Sequence, residues 1–372
     1  MIKYLILVTS MLFLASCSSQ KTEEIKNDTY EFLVGTYSKN KSQGIYFCSF
    51  DPASGETKII SASDTLDNPS FLTISDDQKH VYTVCETDGG SAEALNFDRK
   101  TGKFDKLNIQ NSGGAHPCHI ALDKTGKWIF TGNYTGGTVG VLAVNADGTL
   151  GEVVQTIQQT GTGPNKGRQE KSHVHSVNIS PDNKNLYVAN LGTDELYNYS
   201  FDEQTGKLTE SQRIHLSAGS GPRHFEFHPT LPFAYVIQEL TGKVTQFKID
   251  SGNLTVIEEV STLPVDFTGD NACADIHISP DGMFLYGSNR FLDTIVSFSI
   301  DSKTGKLSQL SQTPVNGEVP RNFGISPDGK YIFVANQKTD NIVVFERNQK
   351  TGALTSTGKE FKISMPVCIK FL

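Results

Sequence analysis

Short segments of alternating apolar and polar residues recur along most of the chain, and turns rich in Gly, Pro, Asp and Asn separate them. A period of two predicts β-strands, whereas the helical period of 3.6 residues is nearly absent. Three segments repeat one order of elements: "SVNISPDNKNLYVANLGTDELYNYSFDEQTGKL" (176–208), "DIHISPDGMFLYGSNRFLDTIVSFSIDSKTGKL" (275–307) and "NFGISPDGKYIFVANQKTDNIVVFERNQKTGAL" (322–354). Weaker copies occupy residues 71–86, 119–134 and 225–240. Four short strands joined by Asp-Gly, Thr-Gly and Pro-Asp turns predict the blade of a β-propeller.

Segments typical of a blade's first strand occur seven times: "PSFLTIS", "HPCHIAL", "HVHSVNI", "GPRHFEF", "ADIHISP", "VPRNFGI" and "MPVCIKFL". The last, whose residues 366–372 would form the strand, leaves no room for a further blade, whereas residues 30–60 contain a blade's later strands without a first. We therefore predict an all-β fold, a seven-bladed β-propeller closed by pairing of the C-terminal strand with the N-terminal blade. Closure removes exposed strand edges. No domain boundary is predicted within residues 30–372.

The first 29 residues differ from this pattern. Residues 1–16 contain Lys3 and an apolar run too short for a stable membrane span, which is typical of an export signal. Leu14-Ala15-Ser16-Cys17 resembles the lipobox of bacterial lipoproteins, whose cysteine is acylated; the alternative is an ordinary secretory signal. The polar residues 17–29 are predicted to form a tether. We expect an extracytoplasmic protein whose membrane attachment is a lipid on Cys17.

Charge and cysteine content narrow the class of partner. The 33 Lys and Arg against 41 Asp and Glu give a net charge of −8, and no basic stripe is present, so nucleic acid is not expected as a partner. The cysteines after Cys17 are scattered without metal-ligand spacing: Cys48, Cys85, Cys118, Cys273 and Cys368. In an exported protein a disulfide is the alternative, but we predict buried thiols.

Aligning the seven first strands on their turns shows which residues share a level of the central channel. Five residues before the turn, the aligned residues are Ser70, Cys118, His175, Arg223, Ala274, Arg321 and Val367. The next level contains Phe71, His119, Ser176, His224, Asp275, Asn322 and Cys368. The residues that follow the second strands are Glu86, Tyr134, Leu191, Glu239, Arg290 and Gln337. If both strand ends face one mouth of the channel, these sets lie together there.

Arg223, Arg290 and Arg321 would then converge beside His175 and Glu239. Guanidinium groups bind carboxylate or phosphate in a bidentate manner, so this convergence predicts an anion site. Because propeller channels are commonly polar, the alternative is that each arginine only ties blades together through backbone carbonyls. Four histidines are predicted near the mouth: His119, His173, His175 and His224. They lack the spacing typical of metal ligands, so neither a metal nor a cofactor is expected.

An irregular insertion, "GTGPNKGRQEKSHVH" (161–175), precedes the third of these strands. Its position predicts a segment lying over the same mouth. It would be either a solvated loop or, as we favour, a lid that carries Arg168 and Gln169 to a ligand.

At these residues the sequence resembles the lactonase family of seven-bladed propellers, which includes one type of 6-phosphogluconolactonase and, more distantly, fungal carboxy-muconate lactonizing enzymes. The resemblance covers residues 30–372. The S-P-D-G and Y-V-A-N elements are generic propeller features, whereas "GPNKGRQEKSHVH", "GSGPRHFEFHP" and "YGSNR" in this order are more specific.

The resemblance implies hydrolysis of a sugar lactone, with His175, Arg223, Glu239 and Arg290 as catalytic residues. His175 or Glu239 would act as general base on water, and the arginines would hold the substrate's anionic group and stabilise the oxyanion. Residues expected to bind the substrate, a small anionic lactone or sugar acid, are Arg168, Gln169, His119, His173, His224, Asp275, Arg321 and Asn322. No G-x-S-x-G motif is present, so no acyl-enzyme is expected.

Three alternatives remain at this stage. A lactonizing enzyme would need the same Arg, His and Glu residues. A non-catalytic propeller that binds a polysaccharide or protein would be rich in exposed aromatic residues at the mouth, where only Tyr134 is found. A quinone-dependent redox propeller would need a metal and a stacking Trp, and Trp128, the single Trp, lies inside a predicted strand. Because 6-phosphogluconolactone is cytoplasmic, an exported protein would act on another lactone.

Overall fold

The computed structural model describes residues 29–38 and 41–372. Its strands form seven antiparallel sheets of four, and turns and loops connect them. The predicted signal, Cys17 and all but the last residue of the predicted tether lie outside the described residues. Within the described part there is no helix long and apolar enough to cross a membrane.

The strands of the first four sheets, in chain order, have the following bounds. The N-terminal sheet contains β1 (Tyr30–Thr36), β2 (Tyr46–Asp51) and β3 (Glu56–Ala62). The second contains β4 (Leu72–Ile74), β5 (His80–Cys85), β6 (Ser91–Asp98) and β7 (Lys103–Asn111). The third contains β8 (Pro117–Leu122), β9 (Trp128–Asn133), β10 (Thr138–Val144) and β11 (Leu150–Gln158). The fourth contains β12 (Val174–Ile179), β13 (Asn185–Asn190), β14 (Glu195–Phe201) and β15 (Leu208–His215).

The remaining sheets follow the same order. The fifth contains β16 (Pro222–Phe227), β17 (Phe233–Gln238), β18 (Lys243–Asp250) and β19 (Asn253–Ser261). The sixth contains β20 (Ala272–Ile278), β21 (Phe284–Arg290), β22 (Thr294–Ile300) and β23 (Leu307–Pro314). The seventh contains β24 (Pro320–Ile325), β25 (Tyr331–Asn336), β26 (Asn341–Arg347) and β27 (Leu354–Lys362). The final strand, β28 (Pro366–Phe371), returns to the N-terminal sheet.

The ring closes by the predicted pairing of the chain's two ends. β28 pairs antiparallel with β1, so that Val34 faces Ile369 and Gly35 faces Cys368. Phe32 of β1 then packs against Phe333 of the seventh sheet, with ring centroids 5.1 Å apart. The prediction of a seven-bladed propeller closed in this way is confirmed.

The repeated S-P-D-G sequence forms the turn between the first and second strands of a blade. In the sixth blade Ser279 Oγ donates a hydrogen bond to Asp281 Oδ1 (2.6 Å) and accepts one from the Phe284 amide (3.1 Å). Gly282 follows with φ at +72°, a conformation that costs glycine little. These local bonds fix where β21 begins, and therefore which residues of β20 and β21 lie side by side.

The described chain contains five cysteines: Cys48, Cys85, Cys118, Cys273 and Cys368. All are buried and none forms a disulfide, as the sequence predicts. Cys118 differs from the others because it also lines the cavity described next.

Candidate active site

The inner strands carry their predicted channel residues at β-bulges. In β16, Pro222 pairs with Gln238 and His224 with Ile237, so that Arg223 is an extra residue without a partner. The same register shift occurs at the equivalent positions of other inner strands, Cys118, His175 and Arg321. A bulge bends the strand and redirects the side chain of the extra residue. This local irregularity brings several side chains from different blades toward one point.

The second strands of the blades end beside the starts of the first strands. The Glu239 amide, just after β17, donates a hydrogen bond to the Gly221 carbonyl oxygen just before β16 (2.7 Å). The two sets of residues predicted from the alignment therefore meet. They enclose a cavity of 290 Å³, here called the arginine cavity, lined by Tyr37, Glu86, Cys118, Tyr134, Arg168, His175, Glu239, Arg290 and Arg321.

Glu239 lies at the centre of three guanidinium groups. Its Oε2 is 2.9 Å from both Arg223 Nε and Arg290 Nη2, and its Oε1 pairs with Arg168 Nη2. Burial by itself would raise the pKa of Glu239, but the charges of Arg290, Arg223 and Arg168 lower it well below its usual range. Glu239 is therefore a carboxylate with both oxygens occupied, suited to hold the arginines in place and unsuited to accept a proton.

The arginines are also held by the backbone. Arg290 donates to the carbonyl oxygens of Ala272 (3.0 Å) and Cys273 (3.1 Å), and Arg223 Nη1 donates to that of Ala274. Burial, reinforced by the charges of Arg290 and Arg321, lowers the pKa of Arg223 to about 10. The predicted alternative, arginines that tie blades together through carbonyl groups, describes the Arg223 contact, which joins the fifth and sixth blades, whereas the Arg290 contacts lie within the sixth blade. Both guanidinium groups nevertheless pair with Glu239, and Arg290 also lines the arginine cavity.

His175 faces the cavity as a neutral imidazole. Its side chain is buried, and burial together with the charge of Arg223 lowers its pKa well below the usual range. Its ring meets that of Tyr134 edge-on, with centroids 5.5 Å apart, and its Nδ1 lies 3.9 Å from Cys118 Sγ. A neutral imidazole has a ring nitrogen that can accept a proton.

A second group of polar side chains that lines the cavity is formed by Tyr37, Glu86 and Arg321. Tyr37 donates a hydrogen bond to Glu86 Oε2 (2.9 Å) and accepts one from Arg321 Nη2 (2.9 Å). Ser70 Oγ donates a further hydrogen bond to Glu86 Oε2. The Arg321 guanidinium also lies over the Tyr37 ring, 5.3 Å from its centroid.

A chamber of 10 Å³ adjoins the arginine cavity, here called the small chamber. It shares Glu86, Cys118, His175 and Arg321 with the cavity. The rest of its lining is Ser70, Phe71, Arg223, His224 and Val367. Arg223, which does not line the larger cavity, thus borders this chamber.

The arginine cavity and the small chamber together are lined by four guanidinium groups and two carboxylates. The guanidinium groups belong to Arg168, Arg223, Arg290 and Arg321, and the carboxylates to Glu86 and Glu239. With His175 neutral, the site carries a surplus of two positive charges. Such a surplus in a largely buried space attracts an anionic ligand. No group of three or more His, Cys, Asp or Glu side chains in the described chain is arranged to hold a metal ion.

The insertion delivers one of its two predicted ligand-binding residues to the cavity. Arg168 reaches Glu239 and also Tyr134, whose hydroxyl lies 3.3 Å from Arg168 Nη2. Gln169 turns the other way: its Nε2 donates to the Leu191 carbonyl oxygen (2.9 Å) and to Asp194 Oδ1 (2.6 Å). Gln169 therefore holds the insertion on the fourth blade.

Of the other residues predicted to bind the substrate, Arg321 lines the arginine cavity. The remaining five do not line it: His119, His173, His224, Asp275 and Asn322. His173 stacks on Tyr134 at 4.3 Å, and its Nδ1 lies 3.0 Å from the Tyr134 carbonyl oxygen. His119 stacks on Phe71 and faces a separate cavity further along the channel. These contacts support the walls of the site and give neither histidine a place at its centre.

His224, Asp275 and Asn322 form a polar partition across the channel. His224 Nδ1 lies 2.6 Å from Asp275 Oδ1, and its Nε2 lies 3.2 Å from Arg223 Nη1. The second oxygen of Asp275 accepts hydrogen bonds from the side-chain amide of Asn322 and from the Phe323 amide. Asp275 and Asn322 are thus occupied by protein partners, while His224 borders the small chamber and contacts Arg223 from behind.

Tyr37 lines the cavity although it was not among the residues predicted from the sequence. Tyr37 follows β1, and β1 is the second strand of its blade because β28 supplies the first. Tyr37 is therefore the seventh member of the set that contains Glu86 and Tyr134. Glu86 and Cys118 appeared in the aligned sets, but the sequence did not assign a role to either.

The comparisons with known proteins agree with this architecture. The family model described as "Lactonase, 7-bladed beta-propeller" matches residues 31–371. A 6-phosphogluconolactonase of Formosa agariphila is 36% identical over 300 residues, which are 78% of this chain and 85% of the relative. The crystal structure of a putative 6-phosphogluconolactonase from Bacteroides fragilis is 38% identical, covers 93% of this chain and 99% of its own, and gives a TM-score of 0.88.

A periplasmic gluconolactonase of Pseudomonas aeruginosa is also similar in structure. It is 32% identical, covers 92% of this chain and 99% of its own, and gives a TM-score of 0.87. The family match spans nearly the whole described chain, and its relatives are matched over most of their own length. This chain belongs to the lactonase family of seven-bladed β-propellers.

Proposed function

We propose that this protein hydrolyses a small anionic lactone, a sugar or phosphosugar lactone, in the arginine cavity. The observation that carries the proposal is the surplus of two positive charges in the arginine cavity and the small chamber, beside a neutral imidazole, His175. The names of the relatives, 6-phosphogluconolactonase and periplasmic gluconolactonase, support a lactone substrate. An anionic group on the substrate would balance the surplus charge.

In the proposed reaction His175 takes a proton from water as the water attacks the lactone carbonyl. Of the two candidate bases, His175 is favoured because Glu239 has both oxygens in ion pairs with arginine. The guanidinium groups of Arg290 and Arg168 stabilise the oxyanion of the tetrahedral intermediate. Glu239 acts as a positioning residue, since it fixes Arg168, Arg223 and Arg290 relative to each other.

The experiment measures how fast 6-phosphogluconolactone, gluconolactone and a uronic lactone open in the presence of the protein. Each rate is compared with the rate of spontaneous opening. We expect the purified wild type to accelerate at least one anionic lactone and His175→Ala to lose most of that acceleration, about 10²–10⁴-fold. His215→Ala, with a histidine side chain that is 74% exposed, is the matched control. A folded wild type that leaves all three rates at the spontaneous value would reject lactone hydrolysis.

The sequence of residues 1–17 supports a second, separate proposal about location. We infer that the protein is exported and attached to a membrane through a lipid on Cys17. In cells, the wild type is then expected in the membrane fraction and labelled by a radioactive fatty acid, whereas Cys17→Ser is unlabelled. Recovery of unlabelled wild type in the cytoplasmic fraction would overturn this proposal.

A further inference from the structure

Glu86 is a carboxylate of the arginine cavity that differs from Glu239 in its hydrogen bonding. Both hydrogen bonds that Glu86 receives, from Tyr37 and Ser70, reach the same oxygen, Oε2. Its Oε1 accepts no hydrogen bond from any residue in 29–38 or 41–372, and no guanidinium nitrogen of that part of the chain lies within 4.0 Å of the carboxylate. One acceptor oxygen therefore remains available at the cavity wall.

The small chamber is bordered by Glu86 and His175. Its volume of 10 Å³ is about that occupied by one ordered water molecule. Such waters make about three hydrogen bonds, and the chamber offers acceptors on Glu86 and His175 and donors on Arg223 and Arg321. The chamber is therefore polar enough, as well as large enough, to hold one water beside the candidate base.

We propose that the small chamber holds the water that attacks the lactone and that Glu86 orients this water as a catalytic residue. This role rests on the proposed lactone hydrolysis. Glu86 Oε1 accepts a hydrogen bond from one O–H of the water, which turns the other O–H toward His175. As the water oxygen bonds to the carbonyl carbon, His175 takes that second proton, and the carbonyl electron pair moves onto oxygen.

The reaction then closes without a further reagent. When the tetrahedral intermediate collapses, the bond from the carbonyl carbon to the ring oxygen breaks, and the ring oxygen takes the proton from His175. The product is a hydroxy acid, which ionises in water. Glu86 does not change its protonation state over the cycle.

The surroundings of Glu86 explain how its orientation is maintained. Tyr37 and Ser70 fix Oε2, and Arg321 in turn donates a hydrogen bond to the Tyr37 hydroxyl. Burial raises the pKa of Tyr37, and the charge of Glu86 adds to this effect, whereas the charge of Arg321 opposes it. Tyr37 therefore keeps its proton and remains a hydrogen-bond donor. Tyr37 and Ser70 are thus positioning residues for a water-orienting carboxylate.

The test compares Glu86→Gln with the wild type on the lactone that the wild type opens fastest. We expect kcat to fall by about 10²–10³-fold with KM changed by less than about threefold, because the amide no longer presents the same acceptor to the water. Glu93→Gln is the matched control: Glu93 is a buried carboxylate of the same blade, paired with Lys106 and away from the cavity. It is expected to keep the wild-type kcat.

A second measurement separates water orientation from support of the fold. Glu86→Ala leaves room for a small carboxylate, so added formate is expected to restore at least tenfold of the lost kcat in that variant and none in His175→Ala. A crystal structure of the wild type is expected to show one ordered water between Glu86 and His175. Glu86→Gln with a kcat within threefold of wild type, or no formate rescue, would overturn the role of Glu86 and leave lactone hydrolysis intact. A wild type that opens no lactone would overturn both.

Discussion

The two larger cavities of the central channel have similar sizes and different net charges. The arginine cavity measures 290 Å³, and a distal cavity of 270 Å³ lies further along the same inner strands, lined by polar residues that include His119, Glu226, His277 and Lys370. In the distal cavity His277 lies 3.1 Å from Asp275 and 3.6 Å from Glu226. Burial by itself would lower the pKa of His277, but these two carboxylates raise it to about 10.

At the distal end, the positive charges of His277 and Lys370 therefore equal the negative charges of Asp275 and Glu226. The arginine cavity and the small chamber have an excess of two positive charges. Both ends of the channel are polar, as the wet channel of a propeller would be whatever its function. The candidate site differs from the distal cavity because its excess positive charge is not balanced by carboxylates of the protein.

The largest effect is expected from removing a positive charge of the arginine cavity. Arg290→Ala should lower kcat/KM for an anionic lactone by about 10²–10³-fold, because a preorganised donor to the oxyanion is lost. Arg290→Lys should restore little, since an ammonium cannot reproduce the planar contacts to Glu239 and two carbonyl oxygens. The matched control is the exposed Arg213→Ala, whose arginine pairs with Glu210 at the surface. Equal losses in Arg290→Ala and Arg213→Ala would show that the loss does not arise from the charge of the arginine cavity.

The second effect concerns stability. Glu239→Gln leaves three guanidinium groups around a neutral amide, and breaking a buried ion pair in this way costs about 3–5 kcal/mol in the free energy of unfolding. Urea denaturation would measure the loss. The variant should also be stabilised by added phosphate more than the wild type is, because its surplus positive charge is larger. A variant as stable as wild type and insensitive to phosphate would show that Glu239 does not hold the arginines together.

A third effect distinguishes the two ends by pH. The pKa of His277 is raised above its unfolded value of about 6.5, so its contribution to stability is complete below that value and is lost as the pH rises toward 10. The pKa of Glu239 is lowered, so its contribution is present above about 4.5 and lost as the pH falls. Unfolding free energies measured from pH 6 to pH 10 should fall in the wild type. The His277→Gln variant should lack about 1–2 kcal/mol of that fall, since His277 is partly exposed. Parallel curves for the two proteins would show that His277 is not charged in the folded state.

The fold could be predicted from the sequence because its determinants are local. Alternation and the Ser279-to-Gly282 turn fix strand and register within a few residues, and the incomplete blades at the two ends leave one way to close the ring. The approach of Glu239 to Arg223 could be predicted for the same reason, since the pairing of β16 with β17 sets the strand ends side by side.

The details of the site depend on side-chain partners that are distant in sequence. Gln169 and Arg168 are adjacent, yet one bonds to Asp194 and the other to Glu239. Asp275 shares a level with residues of the site, but His224 and Asn322 occupy it. A strand alignment gives the level of each residue in the channel and does not give the partner that each side chain finds there.

The smallest effect is expected from the one lysine of the distal cavity. Lys370 Nζ lies 4.8 Å from the centroid of the Phe71 ring, a contact worth about 0.5–1 kcal/mol. Lys370→Met keeps the apolar stem of the side chain and removes its charge, so Tm should change by a few degrees at most, and kcat/KM for the anionic lactone should stay within about twofold of wild type. The partition of His224, Asp275 and Asn322 separates this charge from the arginine cavity. If Lys370→Met instead raised KM as much as Arg290→Ala does, the substrate's anionic group would be bound across the partition, and the two cavities would have to be treated as one site.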